Sequence, residues 1–96
     1  MGLQFEWDPN KARVNQRKHQ VTFEEAATVF ADVLSVTVPD PDHSEYEQRY
    51  ITVGLSQRHR LLMVAHTERN DRIRITSARE LTPTEKRDYE RGNDRN

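Results

Sequence analysis

The stretch from Arg60 to Arg79, RLLMVAHTERNDRIRITSAR, constrains this chain more than any other. It joins an apolar run, Leu61 to Ala65, to an alternating run in which Ile73 and Ile75 are separated by Arg72, Arg74 and Thr76. Between them stands Asn70-Asp71, two residues that tolerate positive φ, so the pattern predicts two antiparallel strands closed by a tight turn. A two-residue loop makes the cross-strand partners Arg69 with Arg72, Thr67 with Arg74, His66 with Ile75 and Ala65 with Thr76. One face then gathers Arg69, Arg72 and Arg74, while the other carries Leu62, Val64, His66, Ile73 and Ile75. Side chains alternate with a period of two, so a slip of one residue would exchange these faces.

The other segments supply layers for this hairpin. Gln4 to Trp7 reads as a short strand, and Asp8-Pro9 as a helix start, with Asp8 capping and Pro9 in the first turn. That helix runs to about Lys18 on a mostly polar face, with Ala12 and Val14 as weak apolar anchors and Lys11, Arg13, Arg17 and Lys18 projecting outward. Thr22-Phe23-Glu24-Glu25 forms a capping box, with Val21 placed to staple against Ala26. Phe23, Ala26, Ala27, Phe30 and Leu34 recur at helical spacing, and this stripe is expected to lie on the isoleucine face of the hairpin.

Val36 to Val38 is a strand that stops at Pro39, and Pro39 to Ser44 is a rigid polar loop. From Tyr50 to Leu55 the pattern alternates again, with Ile51, Val53 and Leu55 on one face. By parity Glu47 and Arg49 share the side of Ile51, unless a bulge near Arg49 or a later strand start frees them. Leu81 to Glu85 begins a third helix, capped by Thr82 and followed by Pro83, and fraying is expected near Gly92. The fold class is therefore α+β, a small antiparallel sheet of about four strands with three helices. One domain covers 1–92, and 93–96 is expected to be a disordered tail.

Composition narrows the function classes. The 96 residues are 33% hydrophobic and 32% charged, so the core is modest. With a mean hydropathy of −1.02, part of the surface is expected to be stabilised by a partner. Fifteen basic residues balance 16 acidic ones, which argues against a non-specific nucleic-acid binder. The distribution matters more than the sum: acids crowd Asp40 to Glu47, bases crowd Lys11 to His19 and Arg69 to Arg79. Absence of cysteine removes thiolate chemistry, and no apolar run reaches membrane length, so a cytoplasmic protein is expected.

The chain has no phosphate-binding glycine loop, no paired-histidine metal spacing and no nucleophile elbow, so neither a metal nor a cofactor is assigned. It does have the Arg, Lys, His, Glu and Tyr residues needed to cleave RNA through its own 2′-hydroxyl. That reaction requires a base, cations for the phosphorane and an acid for the leaving oxygen. Lys18 and His19 are the candidate acids, although His19 also complements the end of its helix. Glu47 is the candidate base, and Arg49 and Arg74 complete the catalytic candidates. Arg69, Arg72 and Arg79 are candidate phosphate ligands. Trp7 is either a core aromatic or a stacking surface for a base. His66 reads as a core histidine.

Phe5-Glu6-Trp7-Asp8-Pro9-Asn10-Lys11, Asn15, Lys18-His19, Val21 and Phe23-Glu24-Glu25-Ala26 together resemble the opening of the BrnT family of type II toxin–antitoxin ribonucleases. Asp42-His43-Ser44, Glu47-Gln48-Arg49-Tyr50, Gly54, Thr67-Glu68-Arg69, Arg72-Ile73-Arg74-Ile75 and Ser77-Ala78-Arg79 are similar to the rest of that pattern. Tyr46 departs from it where a glycine is common. The resemblance implies a RelE-like fold and an endoribonuclease that inhibits translation without metal. It also implies a BrnA-like ribbon-helix-helix antitoxin, in a heterotetramer that binds operator DNA through the antitoxin. A different class of function remains open: a non-catalytic binding module whose arginine face receives an acidic partner segment.

Overall fold

In the computed structural model of the chain, residues 2–41 and 47–94 are described. Asp42-His43-Ser44 and Tyr46, singled out in the sequence, lie outside the described residues.

The hairpin forms from β4 (Leu61–Arg69) and β5 (Arg72–Glu80). Asn70 and Asp71 turn the chain with φ of 50° and 67°, left-handed values that their short polar side chains tolerate. Pairing follows the expected register through Arg69 with Arg72, Thr67 with Arg74 and His66 with Ile75. It then shifts, because Thr76 is an extra residue in β5 and Ala65 pairs with Ser77. This bulge reverses the parity of β5. Ile73, Ile75 and Ala78 turn to one side, whereas Arg72, Arg74, Ser77 and Arg79 share the other.

Three further strands extend the sheet: β1 (Gln4–Glu6), β2 (Val36–Pro39) and β3 (Arg49–Leu55). The described residues thus form five strands in the order β1-β5-β4-β3-β2. The sheet is mixed and has one more strand than expected, since β1 pairs parallel with β5 at Phe5 and Ile73. The α+β class itself holds. Pairing at this edge places Phe5 against Phe30, with ring centroids 5.2 Å apart, which ties the N-terminus to the core.

One sheet face is covered by α2 (Phe23–Thr28) and the 3-10 turn Val29–Ala31. Val21, Phe23, Ala26 and Val29 meet Leu62, Val64, Ile75 and Ala78 in a closed core, each large aliphatic or aromatic member contributing about 1.5–3 kcal/mol by leaving water. The helix is shorter than its apolar spacing predicted. Thr28 turns its hydroxyl back to the Glu25 carbonyl at 2.6 Å, and Asp32 accepts from the amides of Leu34 and Leu55 at 3.0 and 2.8 Å. These side-chain bonds offer the backbone an alternative to another helical turn. Leu34 is consequently 62% exposed and does not join the stripe.

The Thr22 cap forms at 3.0 Å, but Glu25 does not reach back to complete the box. Its buried carboxylate accepts from Ser56 Oγ at 2.7 Å and Arg60 Nε at 2.9 Å. Arg60 holds the acid below its ordinary range despite the cost of burial. Arg60 also donates to the Gln20 carbonyl at 3.0 Å, so the clamp fastens α2 to the β3–β4 turn. On β3 the inward positions are Thr52 and Gly54, not the apolar Ile51, Val53 and Leu55. A Cβ on Gly54 would stand 2.8 Å from Ser35 Cβ.

Helix α1 (Pro9–His19) begins as expected, with Asp8 accepting from the Asn10 amide at 2.8 Å. Its anchor is Asn15 rather than Val14, which is 61% exposed. Asn15 donates to the carbonyls of Val21 and Ala78 at 3.0 and 2.9 Å and accepts from the Ala78 amide at 3.1 Å. The amide side chain acts as a one-residue strand on the edge of β5, beyond the point where β1 stops. That bond set places the C-terminus of α1 beside Ser77. Helix α3 (Pro83–Asp94) starts on a complete capping box, Thr82 and Glu85 exchanging bonds of 3.2 and 2.9 Å. It runs past Gly92 to Asp94; residues 95–96 lie outside the described residues.

Candidate active site

The sheet face away from α2 is lined by rows of paired residues, because partners on neighbouring strands point the same way. One row is Arg49, Thr67 and Arg74; the next is Ile51, Ala65 and Ser77; a third is Val53, Met63 and Arg79. A cavity of about 310 Å³ lies over these rows, and His19 and Asp40 complete its wall. His19 reaches it from the end of α1, and Asp40 from the end of β2, where its amide donates to the Arg49 carbonyl at 2.8 Å. A second hollow of about 390 Å³ runs between α1 and β5, lined by Lys11, Val14, Lys18 and Thr76 among others. The two hollows share His19 and Ser77.

The candidates separate into two electrostatic groups. Lys18, His19 and Arg49 make no side-chain hydrogen bond or ion pair among the described residues. The hairpin arginines are all engaged. Arg69 holds Glu47 at 2.6 Å, and Arg74 holds Glu6 at 3.0 Å, with Arg72 more distant from Glu6 at 3.9 Å. Arg79 binds Glu85 through two nitrogens at 2.8 and 3.0 Å, and its guanidinium brings that carboxyl down to about 2. This engagement also occupies, from within the chain, the face that a binding module would offer to an acidic segment.

Among the sequence candidates, the structure brings His19, Arg49 and Arg79 together around the cavity, with Lys18 in the adjoining groove. It places Glu47 and Arg69 toward the tip of the hairpin, and neither lines the cavity. Arg74 sits in the row of Arg49 but is turned to Glu6. Trp7 packs on the core with its ring edge toward Phe23, centroids 6.0 Å apart, and so stands as a core aromatic away from the cavity. His66 is a core histidine, as its facing predicted. Its Nε2 is 2.8 Å from Thr52 Oγ1, its ring stacks near Tyr50, and burial lowers its pKa to about 4.

Asp40, Met63 and Ser77 also line the cavity, although none is a sequence candidate for the site. Asp40 falls in an acidic polar loop of the sequence, and Ser77 reaches this face only because of the bulge at Thr76. No group of three or more metal-ligating side chains occurs among the described residues.

The family profile described as ribonuclease toxin, BrnT, of type II toxin-antitoxin system matches residues 7–85. The chain belongs to the BrnT family. It is therefore a BrnT ribonuclease toxin of a type II toxin–antitoxin system, with RNA as its target and an antitoxin as its partner. The fold agrees with the 1.1 Å crystal structure of the Brucella abortus ribonuclease toxin BrnT at a TM-score of 0.62 and 15% identity, over 84% of this chain and 99% of that one. No curated protein matches the chain. Among the described residues, no helix is long and apolar enough to cross a membrane. The BrnT match ends at Glu85, so the cavity lies wholly within the matched residues and most of α3 lies beyond them.

Proposed function

We propose that this toxin cuts RNA without a metal, using the RNA's own 2′-hydroxyl, in the cavity bounded by His19, Asp40, Arg49 and Arg79. The 2′-oxygen attacks the adjacent phosphorus and the bond to the 5′-oxygen breaks. The products are a 2′,3′-cyclic phosphate and a free 5′-hydroxyl. One group must take the hydroxyl proton and another must supply a proton to the leaving oxygen. The His19 imidazole, which can donate a proton, is assigned to the leaving oxygen, and the Asp40 carboxylate, which can accept one, to the hydroxyl. Arg49, which has no internal partner among the described residues, holds the crowded phosphorane, whose negative charge grows in the transition state, and Arg79, bound to Glu85, adds positive charge at the cavity wall.

The observation that carries this reading is the meeting of an imidazole, a carboxylate and two guanidiniums at one cavity, with His19 and Arg49 uncommitted. Lys18 adds positive charge beside His19. Glu47 is assigned a positioning role through Arg69, while Arg69, Arg72 and Arg74 attract more distant phosphates. Inhibition of translation in the cytoplasm would follow from loss of messenger RNA.

For the partner, we infer a BrnA-like ribbon-helix-helix antitoxin that joins two toxins in a heterotetramer and binds operator DNA. An apolar strip beside the cavity supports an interface there: Val36 and Val38 are 45% and 46% exposed on the edge strand, in register with Val53 and Ile51.

The test is cleavage by the purified toxin in EDTA of an RNA and of the same sequence carrying a single 2′-deoxy nucleotide at the cut. The RNA is expected to yield cyclic phosphate ends, and the substituted strand to survive. Cleavage of the deoxy linkage, or loss of activity in EDTA with recovery on adding a divalent cation, would overturn the mechanism.

A further inference from the structure

The groove between α1 and β5 meets the proposed proton donor only at His19, and the rest of its construction is specific. Lys11, Val14 and Lys18 lie at helical positions i, i+3 and i+7, so they form one face of α1 turned toward β5. At about 1.5 Å rise per residue the two lysines stand roughly 10 Å apart along the axis, with Val14 between them. Thr76, the extra residue of the bulge, makes the opposite wall, its hydroxyl donating to the Ala65 carbonyl at 3.2 Å. The groove's volume of about 390 Å³ falls within the usual ~300–1,000 Å³ of small-ligand sites.

Charge selects the ligand. No carboxylate lines this groove, and neither lysine is engaged by an acid among the described residues. By contrast, a hollow along α2 is lined by Glu24 and Glu25 together with Arg58. An anion with an apolar part fits a wall of two ammonium groups and one exposed valine. Continuity selects further: the groove and the cavity share His19 and Ser77 in their walls. A chain seated with its reacting phosphate in the cavity is led directly into the groove.

We propose that the α1–β5 groove binds the next nucleotide of a single-stranded RNA, with Lys11 and Lys18 on its phosphate and Val14 against its base. This rests on the ribonuclease reading of the cavity. A single strand is required because bases in a duplex are stacked and paired, out of reach of such a wall. A dinucleoside monophosphate, which ends at the cleaved linkage, leaves the groove empty. The toxin should therefore prefer longer RNA, and Lys11 should contribute to that preference.

The experiment uses the full chain and a fluorescein-labelled, 2′-O-methyl pentanucleotide that cannot be cut, with binding read by anisotropy across a salt series. Lys11→Ala is expected to weaken binding about three- to tenfold and to reduce the salt slope by about one ion. Val14→Glu should weaken it at least as much, with melting temperatures unchanged in both because the positions are exposed. On cleavable RNA, Lys11→Ala should shrink the preference for a pentanucleotide over a dinucleoside monophosphate. Binding that depends on Lys11 in a toxin that does not cleave would sink the ribonuclease mechanism and uphold the groove. Normal cleavage with pentanucleotide affinity indifferent to both substitutions would overturn the groove alone. A polyglutamate peptide that binds in a Lys11-dependent way where the RNA does not would reassign it to an acidic protein segment.

Discussion

Two clusters of positive charge lie on one side of the same sheet, and they differ in what they are already doing. At the hairpin tip, Arg69, Arg72 and Arg74 face carboxylates supplied by Glu47 and Glu6. In the middle of the sheet, Arg49 and His19 face a cavity with no internal partner among the described residues. Abundance of arginine therefore does not locate the chemistry. A guanidinium bound to a carboxylate must give up that partner before it can hold a phosphate, whereas an uncommitted one is available at once.

The largest expected effect separates the two histidines that flank the sheet. His19→Ala should lower the cleavage rate about 10²–10⁴-fold, the usual contribution of a positioned proton donor, with little change in melting temperature. His66 lies on the opposite face under Phe30, ring centroids 4.9 Å apart. If His66→Gln, with its fold retained, lost as much activity as His19→Ala, the division between the two faces would be wrong.

Next is the one arginine whose pairing is built into the core. Glu25→Ala strands Arg60, whose side chain is 22% exposed, and should cost about 3 kcal/mol in chemical denaturation, near the low end for breaking a buried pair. A loss under 1 kcal/mol would show that the α2 clamp is no stronger than the ion pairs of the hairpin tip.

His66 gives a pH dependence of comparable size. Its folded pKa of about 4 lies below the ordinary 6.5, so the unfolded chain binds the proton more readily. Stability is then complete above about pH 6.5 and falls as pH drops toward 4, by up to about 3 kcal/mol. Glu85 acts in the same direction but lower, between its ordinary 4.5 and about 2. Urea titrations from pH 7 to 4.5 consequently report chiefly on His66, and His66→Gln should flatten them. An equal slope in wild type and variant would contradict this. The smallest effect is at the tip, where Glu47→Gln should change stability by less than about 1 kcal/mol, as for exposed pairs generally.

Much of the scaffold was legible in the chain. Asn70-Asp71 specified the hairpin and its register as far as His66 and Ile75, because turn chemistry fixes local pairing. The caps at Asp8, Thr22 and Thr82 were legible for the same reason. The bulge was not: Thr76 carries no composition signal, yet it carries Arg79 and Ser77 onto the cavity face. The second helix ends before its apolar spacing does, because that spacing continues to Leu34 while Thr28 and Asp32 redirect the backbone. On β3 the apolar residues alternate as expected, but the buried positions are Thr52, which meets His66, and Gly54, which admits Ser35. Of the candidate site, Lys18, His19 and Arg49 were found by residue type and kinship. Which cations were already paired, and that Asp40 lines the same cavity as His19, depended on tertiary contacts that no local pattern encodes.

The most direct measurement compares kcat/KM for Arg49→Ala and Arg69→Ala on one RNA in EDTA. Removal of an uncommitted cation from the phosphorane should cost about 10²–10³-fold, and removal of the one paired with Glu47 less than about tenfold. An Arg69→Ala loss equal to or larger than that of Arg49→Ala would place the chemistry at the hairpin tip and contradict the assignment of the cavity.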